Sequence, residues 1–473
     1  MAKKVDVIII GAGSAGLAAL RQIRKTTDNY LLIDHGPLGT TCARVGCMPS
    51  KALIKVAGNL HGAARLAKAG LVDGKAPACN IPAVLAHVRK LRDGFATGML
   101  EATRRLAGER LIKASARLLG PGRVRVGDSE MACSRVILAV GSRPTVPEPW
   151  QAFRERILTT DSFFEQQDLP RRLAVIGLGL IGIELGQAMA RMGIQVWGFG
   201  RNPHICGIRD AEVNDVALAA LSREFPLYTG AEAHISPTAD GLRIRNGSKE
   251  IEVDAILAAL GVTPNTAGLG LENLGIELDK RGLPPFNPHT MQVADLPVFI
   301  AGDANGCLPI LHEAQDEGYI AGVNATASAI GPFQRRTPLK IVFCDPQVAA
   351  VGQTIDKLDA AAIVIGRADF TEQSRAIAEQ RNSGLLHVYV DKLDGRLLGA
   401  EMIVPGAEHL AQLLALAIHR KLTVTDLLTM PFYHPTLEEG LRTALRDAAQ
   451  QLDDGRPPRE LSLCESCPEA PLC

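Results

Sequence analysis

Two stretches of the chain share one design: "VDVIIIGAGSAGLAALRQI" (Val5 to Ile23) and "RLAVIGLGLIGIELGQAMARMG" (Arg172 to Gly193). Each is an apolar strand, a Gly-x-Gly-x-x-Gly turn and an Ala-rich helical run, the opening of a Rossmann beta-alpha-beta unit. The glycines are Gly11, Gly13 and Gly16 in the first copy and Gly177, Gly179 and Gly182 in the second. They let the backbone turn sharply and approach a pyrophosphate, while the helix N-terminus offers free N–H groups and a positive dipole end. One such hexapeptide says little. Two in the same context predict an α/β fold with two dinucleotide sites.

The first copy has an acidic partner. "NYLLIDHG" ends a strand with Asp34, eighteen residues after Gly16, where a carboxylate can accept hydrogen bonds from ribose hydroxyls. The second copy departs from this: "IQVWGFGRNP" offers Gly200 and Arg201 where an acid is expected. An arginine there suits a 2′-phosphate, hence NADPH over NADH, with Arg209 downstream to assist. An exposed arginine after a strand is the alternative.

Two further strand ends break into Gly-Pro loops, "VILAVGSRP" with Gly141 and "AILAALGVTPN". "LPVFIAGDANG" reads as a buried strand ending in Gly302-Asp303. A carboxylate at a strand's C-terminal end lies where an α/β sheet binds its ligand; a helix-capping aspartate is the other reading. From about Arg336 the pattern changes. "KIVFCDPQVAAVG", "LLHVYVD" and "RLLGAEMIV" read as strands and "AEHLAQLLALAIHRKL" as an amphipathic helix. No phosphate loop follows, so this region is assigned to packing and subunit association.

Composition sets the outer bounds. A chain of 473 residues suggests two to four domains. Lys plus Arg and Asp plus Glu both number 51, so net charge draws the chain toward neither nucleic acid nor an anionic membrane. No run approaches the roughly 20 apolar residues of a membrane span. "VDVIII" follows two lysines but runs into "GAGSAG" with no cleavage site, so it reads as a strand and not a signal peptide. A reducing, cytoplasmic compartment is therefore expected, and ten cysteines there argue for chemistry at some of them.

"GTTCARVGCMPSK" (Gly39 to Lys51) holds Cys42 and Cys47. The spacing admits a metal pair, a structural disulfide, a catalytic disulfide or no role. A flavin accepts a hydride from a nicotinamide and hands an electron pair to a neighbouring disulfide, so two dinucleotide sites raise the value of this pair. The spacing is read as putting both sulfurs on one side of a single helical turn. A zinc site lacks a matching Cys or His pair nearby, the usual local spacing being about two to four; no metal ligands are assigned.

"GTTCARVGCMPSK", "GAGSAG", "GSRP", "GLGLIGIELG", "AGDA" and "HPTLEEG" occur in the order seen in flavoprotein disulfide reductases. To about residue 450 the chain resembles a dihydrolipoamide dehydrogenase-type member of that family. The resemblance implies two Rossmann-like FAD- and NAD(P)-binding domains plus a C-terminal α+β dimerisation domain. The expected bounds are FAD-binding 1–152, NAD(P)-binding 153–265, a second FAD-binding part 266–335, an interface domain 336–450 and a Cys-containing tail 451–473.

It also implies roles. Cys42 matches the interchange thiol that attacks the substrate disulfide, and Cys47 the thiolate against the flavin. Lys51 and Glu184 match an ion pair beside flavin and nicotinamide, and Asp303 the aspartate on the FAD ribityl chain. His434 matches the acid/base, acting from the partner subunit of a homodimer, and Glu439 the carboxylate that orients it. Thiol–disulfide exchange needs a thiolate attacker and a proton for the leaving sulfur, which a histidine near neutral pH supplies. Cys79, Cys133, Cys206, Cys307 and Cys344 lack such context and read as core thiols.

The implied reaction passes electrons from NADPH or NADH through FAD and the Cys42–Cys47 pair to a small disulfide such as lipoamide, free or on a lipoyl-carrying protein. Three departures stand out: Ala43-Arg44 in place of an apolar residue and Asn, Arg201 in place of an acid, and a tail with Cys464, Cys467 and Cys473. Mercuric reductases and large thioredoxin reductases also end in thiols, so reduction of Hg(II) or a protein disulfide is a rival. Mercuric reductase has tyrosine where this chain keeps His434, which favours a disulfide substrate. A soft-metal-binding scaffold is the rival of a different class.

Overall fold

The computed structural model describes residues 4–75, 77–453, 460 and 461, and the chain divides into two compact units. One is built from residues up to Asn59, Pro77–Leu169 and Ala258–Arg335. The other holds Pro170–Leu257, the chain from Arg336 onward and a short stretch beginning at Leu60.

In the first unit the strand Val5–Ile10 lies between Tyr30–Ile33 and Ser129–Leu138, parallel to both. Val298–Ile300 adds in parallel beyond Ser129–Leu138. The strand is apolar at successive positions because both its faces are covered. Val7 and Ile9 pack with Leu17, Leu20 and Phe299, while Ile8 and Ile10 pack with Val136, Leu138 and Ile300. The small residues of the helix Ser14–Ile23 admit the helix Leu311–Thr326 at close range: a Cβ at Gly318 would run into Ala15 O.

Two features of this unit carry no glycine signature. The strand Ser129–Leu138 extends into an antiparallel meander with Arg123–Val126 and Ala116–Gly120. A helix of 27 residues, Ile81–Ala107, starts at Asn80, whose side chain accepts the Ala83 N–H at 3.1 Å.

The second unit repeats the parallel design with Arg172–Ile176, Gln195–Gly200 and Leu227–Thr229. It also contains a five-stranded antiparallel sheet in the order Leu339–Val342, Gln347–Gly352, Leu397–Val404, Leu385–Asp391, Ile363–Asp369. The segment from Lys340 to Gly352 is thus a hairpin; Pro346, which has no N–H for a ladder, sits at its turn. Leu386, Val388 and Val390 pack with Leu410, Leu414, Leu441 and Leu445 of the helices Ala407–His419 and Glu438–Leu452. The alternate residues His387 and Tyr389 are buried too, and meet Asp210: Nδ1 of His387 and the Tyr389 hydroxyl lie 2.7 and 3.0 Å from Asp210 Oδ2.

The architecture is two Rossmann-like halves and an antiparallel α+β domain. Among the described residues no helix is long and apolar enough to cross a membrane.

Candidate active site

The first glycine loop follows Val5–Ile10. Gly11 has φ +108°, which favours glycine, and a Cβ at Gly16 would run into Gly11 O, so strand and helix meet only without side chains there. At Gly13 a Cβ would meet nothing within 4 Å, leaving open space in front of the helix N-terminus. Asp34 is held against this loop. Its Oδ2 accepts the Ala12 N–H at 2.6 Å and its Oδ1 the Gly36 N–H at 2.8 Å.

Asp303 lies in the turn after Val298–Ile300, and Ser142 Oγ donates to its Oδ2 at 2.7 Å. Ser142 follows Gly141, which has φ +68°. Beneath them Glu317 accepts the Gly302 N–H at 2.8 Å and the Asn305 amide at 2.7 Å. Burial pushes the Glu317 carboxyl up, against the pull of the Gly302 N–H and Arg335. The glycine loop, Asp34, Gly141 and Asp303 therefore gather at the C-terminal ends of parallel strands, the edge where α/β sheets bind ligands.

The two cysteines are arranged differently from the expectation of one helical turn. Thr40, at φ +60°, starts the short helix Thr41–Arg44; Val45 (φ −136°, ψ +4°) ends it; a new helix, Cys47–Lys68, begins at the second cysteine. The break is what brings the sulfurs together, since four intervening residues on one helix place them more than a turn apart. Gly46 fits the break because a Cβ there would press on the Cys42 Cα and the Thr41 carbonyl at 3.2 Å. Pro49 falls in the first turn, where its missing N–H costs nothing.

The Cys42 thiol is hydrogen-bonded to Cys47. That bond, then burial and the charge of Cys47, push its pKa up, while Lys51 pulls it down. Lys51 stands one turn beyond Cys47 on the same helix. The helix N-terminus at Cys47 favours negative charge.

The second glycine loop repeats the first: Gly177 has φ +103°, a Cβ at Gly182 would run into Gly177 O, and Gly179 faces open space. Glu184, on the helix Leu180–Arg191, is buried, and its Oε1 accepts the Phe343 N–H at 2.9 Å. Lys51 belongs to the first unit and Glu184 to the second. Arg201 is exposed directly after Gln195–Gly200. Arg209 is engaged elsewhere, its Nε 3.7 Å from Asp356 Oδ2.

His434 is exposed, and its Nδ1 lies 3.0 and 3.1 Å from the two oxygens of Glu439. Glu439 opens the helix Glu438–Leu452 and also accepts the Thr436 N–H at 3.1 Å. The bond to His434 holds the Glu439 carboxyl below its usual range. With Nδ1 so engaged, Nε2 is the nitrogen left for a reacting group.

The core reading of the other cysteines needs correction. Cys307 is exposed and Cys79 half-buried, the first because it lies in the surface turn after Gly306. Cys133 is buried and packs in the core. Cys206 and Cys344 are buried, yet their side chains are hydrogen-bonded to one another. Ser142 and Glu317 were also missed; "GSRP" alone signalled the first, and nothing local signals the second. Cys464, Cys467 and Cys473 lie outside the described residues.

Residues 5–318 match the family model for pyridine nucleotide-disulphide oxidoreductase, and residues 339–445 match the dimerisation domain of that family. The chain is 32% identical over 458 residues to a dihydrolipoyl dehydrogenase of Thermus scotoductus, covering 93% of this chain and 97% of that one. It is 30% identical over 474 residues to dihydrolipoyl dehydrogenase 3 of Pseudomonas aeruginosa, covering 94% and 98%. Among solved structures, LpdA from Mycobacterium tuberculosis aligns with a TM-score of 0.81 at 25% identity over 93% of this chain and 99% of that one. RclA, an HOCl-induced flavoprotein disulfide reductase from Escherichia coli, reaches 0.81 at 20% identity over 94% and 99%, a likeness of fold. FAD and NAD(P)H are the cofactors of this family, and the two glycine cradles, each open at its second glycine, fit them. The chain belongs to the pyridine nucleotide-disulphide oxidoreductases, as a dihydrolipoyl dehydrogenase-like flavoprotein enzyme.

Proposed function

We propose that this enzyme is a homodimeric, cytoplasmic NAD(P)H:disulfide oxidoreductase acting on a lipoamide-type disulfide through Cys42 and Cys47. The observation that carries the reading is the His434–Glu439 pair. Reduction of a soft metal ion needs no proton donor for a leaving thiol, whereas cleavage of a disulfide does.

FAD, when bound, supplies an acceptor for a hydride from the nicotinamide and a two-electron donor to an adjacent disulfide. Gly11, Gly13, Gly16, Asp34, Gly141 and Asp303 hold it; Gly177, Gly179, Gly182 and Glu184 serve the nicotinamide nucleotide, with Arg201 directed to a 2′-phosphate. Lys51 places a positive charge beside the redox pair. Cys42 gives its proton to Nε2 of the partner subunit's His434 and attacks the substrate disulfide. One substrate sulfur bonds to Cys42, and the other leaves and takes the proton back. Cys47 then passes its proton through Nε2 of the partner subunit's His434 to the remaining substrate sulfur and attacks Cys42, closing the Cys42–Cys47 disulfide as that sulfur leaves as the second thiol. Glu439 holds the imidazole in the tautomer this relay requires.

The test is lipoamide-dependent oxidation of NADPH and NADH by the FAD-loaded protein, intact and truncated after Arg459. Rapid turnover unaffected by truncation is expected, with NADPH the better coenzyme. Flavin reduction without lipoamide turnover would sink the substrate assignment. Turnover of Hg(II) or a protein disulfide lost on truncation would move the function to the tail.

A further inference from the structure

A second thiol pair lies away from Cys42 and Cys47. Cys206 and Cys344 are both 2% exposed, both reduced, and side-chain hydrogen-bonded to one another. Cys206 occupies a left-handed turn (φ +56°) that a side chain resists, and it is anchored there by its N–H bond to Leu178 O at 2.8 Å. The Cys344 Sγ lies 3.1 Å from Pro346 O at the hairpin turn. A basic group stands alongside: the Lys340 amine is packed against Gly207, where a Cβ would run into Nζ. Burial lowers the Lys340 pKa; Cys206 and Glu401 pull it back up and Arg209 pushes it further down. The reaction described above uses none of these three side chains.

We propose that Cys206 and Cys344 are a second redox site, a buried dithiol that a small peroxide oxidises to an intramolecular disulfide with Lys340 as the base. A small neutral oxidant is required because neither sulfur reaches the surface. Hydrogen peroxide takes one thiol to a sulfenic acid and releases one water. The second thiol passes its proton to Lys340 and attacks the sulfenic sulfur. The departing hydroxide takes that proton and leaves as a second water. Two thiols and one peroxide thus become one disulfide and two waters, the sulfurs losing the electron pair that cleaves the O–O bond.

The bond would tie two supports of the nicotinamide half together. Cys206 holds the carbonyl of Leu178 in the second glycine loop, and Cys344 follows Phe343, whose N–H holds Glu184. Its formation is independent of the proposed function; its effect on coenzyme use rests on that reading.

The experiment uses the full-length, FAD-loaded protein, reduced, desalted, exposed to hydrogen peroxide, alkylated and digested with trypsin without reductant. Cleavage at Arg201, Arg209, Lys340 and Lys357 isolates each cysteine in its own peptide, 202–209 and 341–357. A linked pair of these peptides that dithiothreitol dissolves is expected, absent from Cys344→Ser and formed several-fold more slowly in Lys340→Met, where loss of the cleavage site at 340 makes the second peptide 337–357. NADPH-driven flavin reduction should be several-fold slower in the linked protein than in equally treated Cys344→Ser. No linkage between these peptides, or sulfinic acid on one sulfur alone, overturns the proposal even if the variants misfold. Linkage with unchanged flavin reduction would leave the disulfide standing and overturn its placement on the coenzyme path.

Discussion

The Glu439 carboxylate straddles Nδ1 of His434, its oxygens at 3.0 and 3.1 Å. The proposed mechanism separates two half-reactions: in it the pair serves proton transfer to sulfur and takes no part in the delivery of electrons from the coenzyme. In His434→Gln, disulfide turnover is expected to fall by about 10²–10⁴-fold, the usual size of a general acid–base contribution. In Glu439→Gln the loss should be smaller, roughly tenfold. NADPH-driven flavin reduction, followed by stopped flow, should be unchanged in both. Because the Glu439 pKa is depressed, the pair is present at and above the usual carboxylate range and is lost only as pH falls through the lowered value. Equal slowing of both half-reactions would show that the histidine only supports the fold.

Features held by short-range geometry were legible in the chain. The positions of Gly11, Gly16, Gly177 and Gly182 follow from the close approach of a strand and the next helix, which any local window contains. The break between Cys42 and Cys47 was not legible. It depends on Thr40 entering a left-handed conformation and on Val45 ending the first helix, and neither residue type demands this. Ser142 with Asp303, and Cys206 with Cys344, meet only because distant strands and turns are brought together. No spacing encodes such pairs.

The hydrogen bond between Cys42 and Cys47 makes a sharp prediction for substitution of the second sulfur. Cys47→Ser should fold and retain FAD, since the glycine cradle, Asp34 and Asp303 do not involve it. Disulfide turnover should fall to background because no intramolecular thiol remains to release the mixed disulfide on Cys42. Trapping of a stable, reductant-sensitive adduct at Cys42 by mass spectrometry would be the positive sign. Full lipoamide activity in this variant would exclude the mechanism.

Arg201 is exposed immediately beyond the strand Gln195–Gly200, where a charge-assisted bond to a phosphate is worth roughly 1.5–3 kcal/mol. Arg201→Ala should therefore raise the KM for NADPH by about 10- to 100-fold while leaving that for NADH within about twofold. Steady-state kinetics with both coenzymes decides the matter. Parallel changes for NADPH and NADH would assign the residue to the loop's structure.

Asp210 is the stability counterpart of these active-site tests. It caps the helix Ala211–Leu221 by accepting the Glu212 and Val213 N–H groups, and it meets His387 and Tyr389 beneath the antiparallel sheet. Burial pushes its carboxyl up, but the bonds from His387, Val213 and Tyr389 outweigh burial and hold it below the usual range. A depressed pKa contributes stability above the unfolded carboxylate value, and that contribution disappears as pH falls through the folded one. Asp210→Asn keeps the cap's acceptor oxygen but loses the charge facing His387, so it should destabilise the protein by about 1–3 kcal/mol near neutrality. The difference from wild type should shrink in acid, where wild type is itself protonated at Asp210. Denaturant midpoints measured from pH 7 down to pH 3 test the sign; a gap that widens in acid would place the stabilising charge on another group.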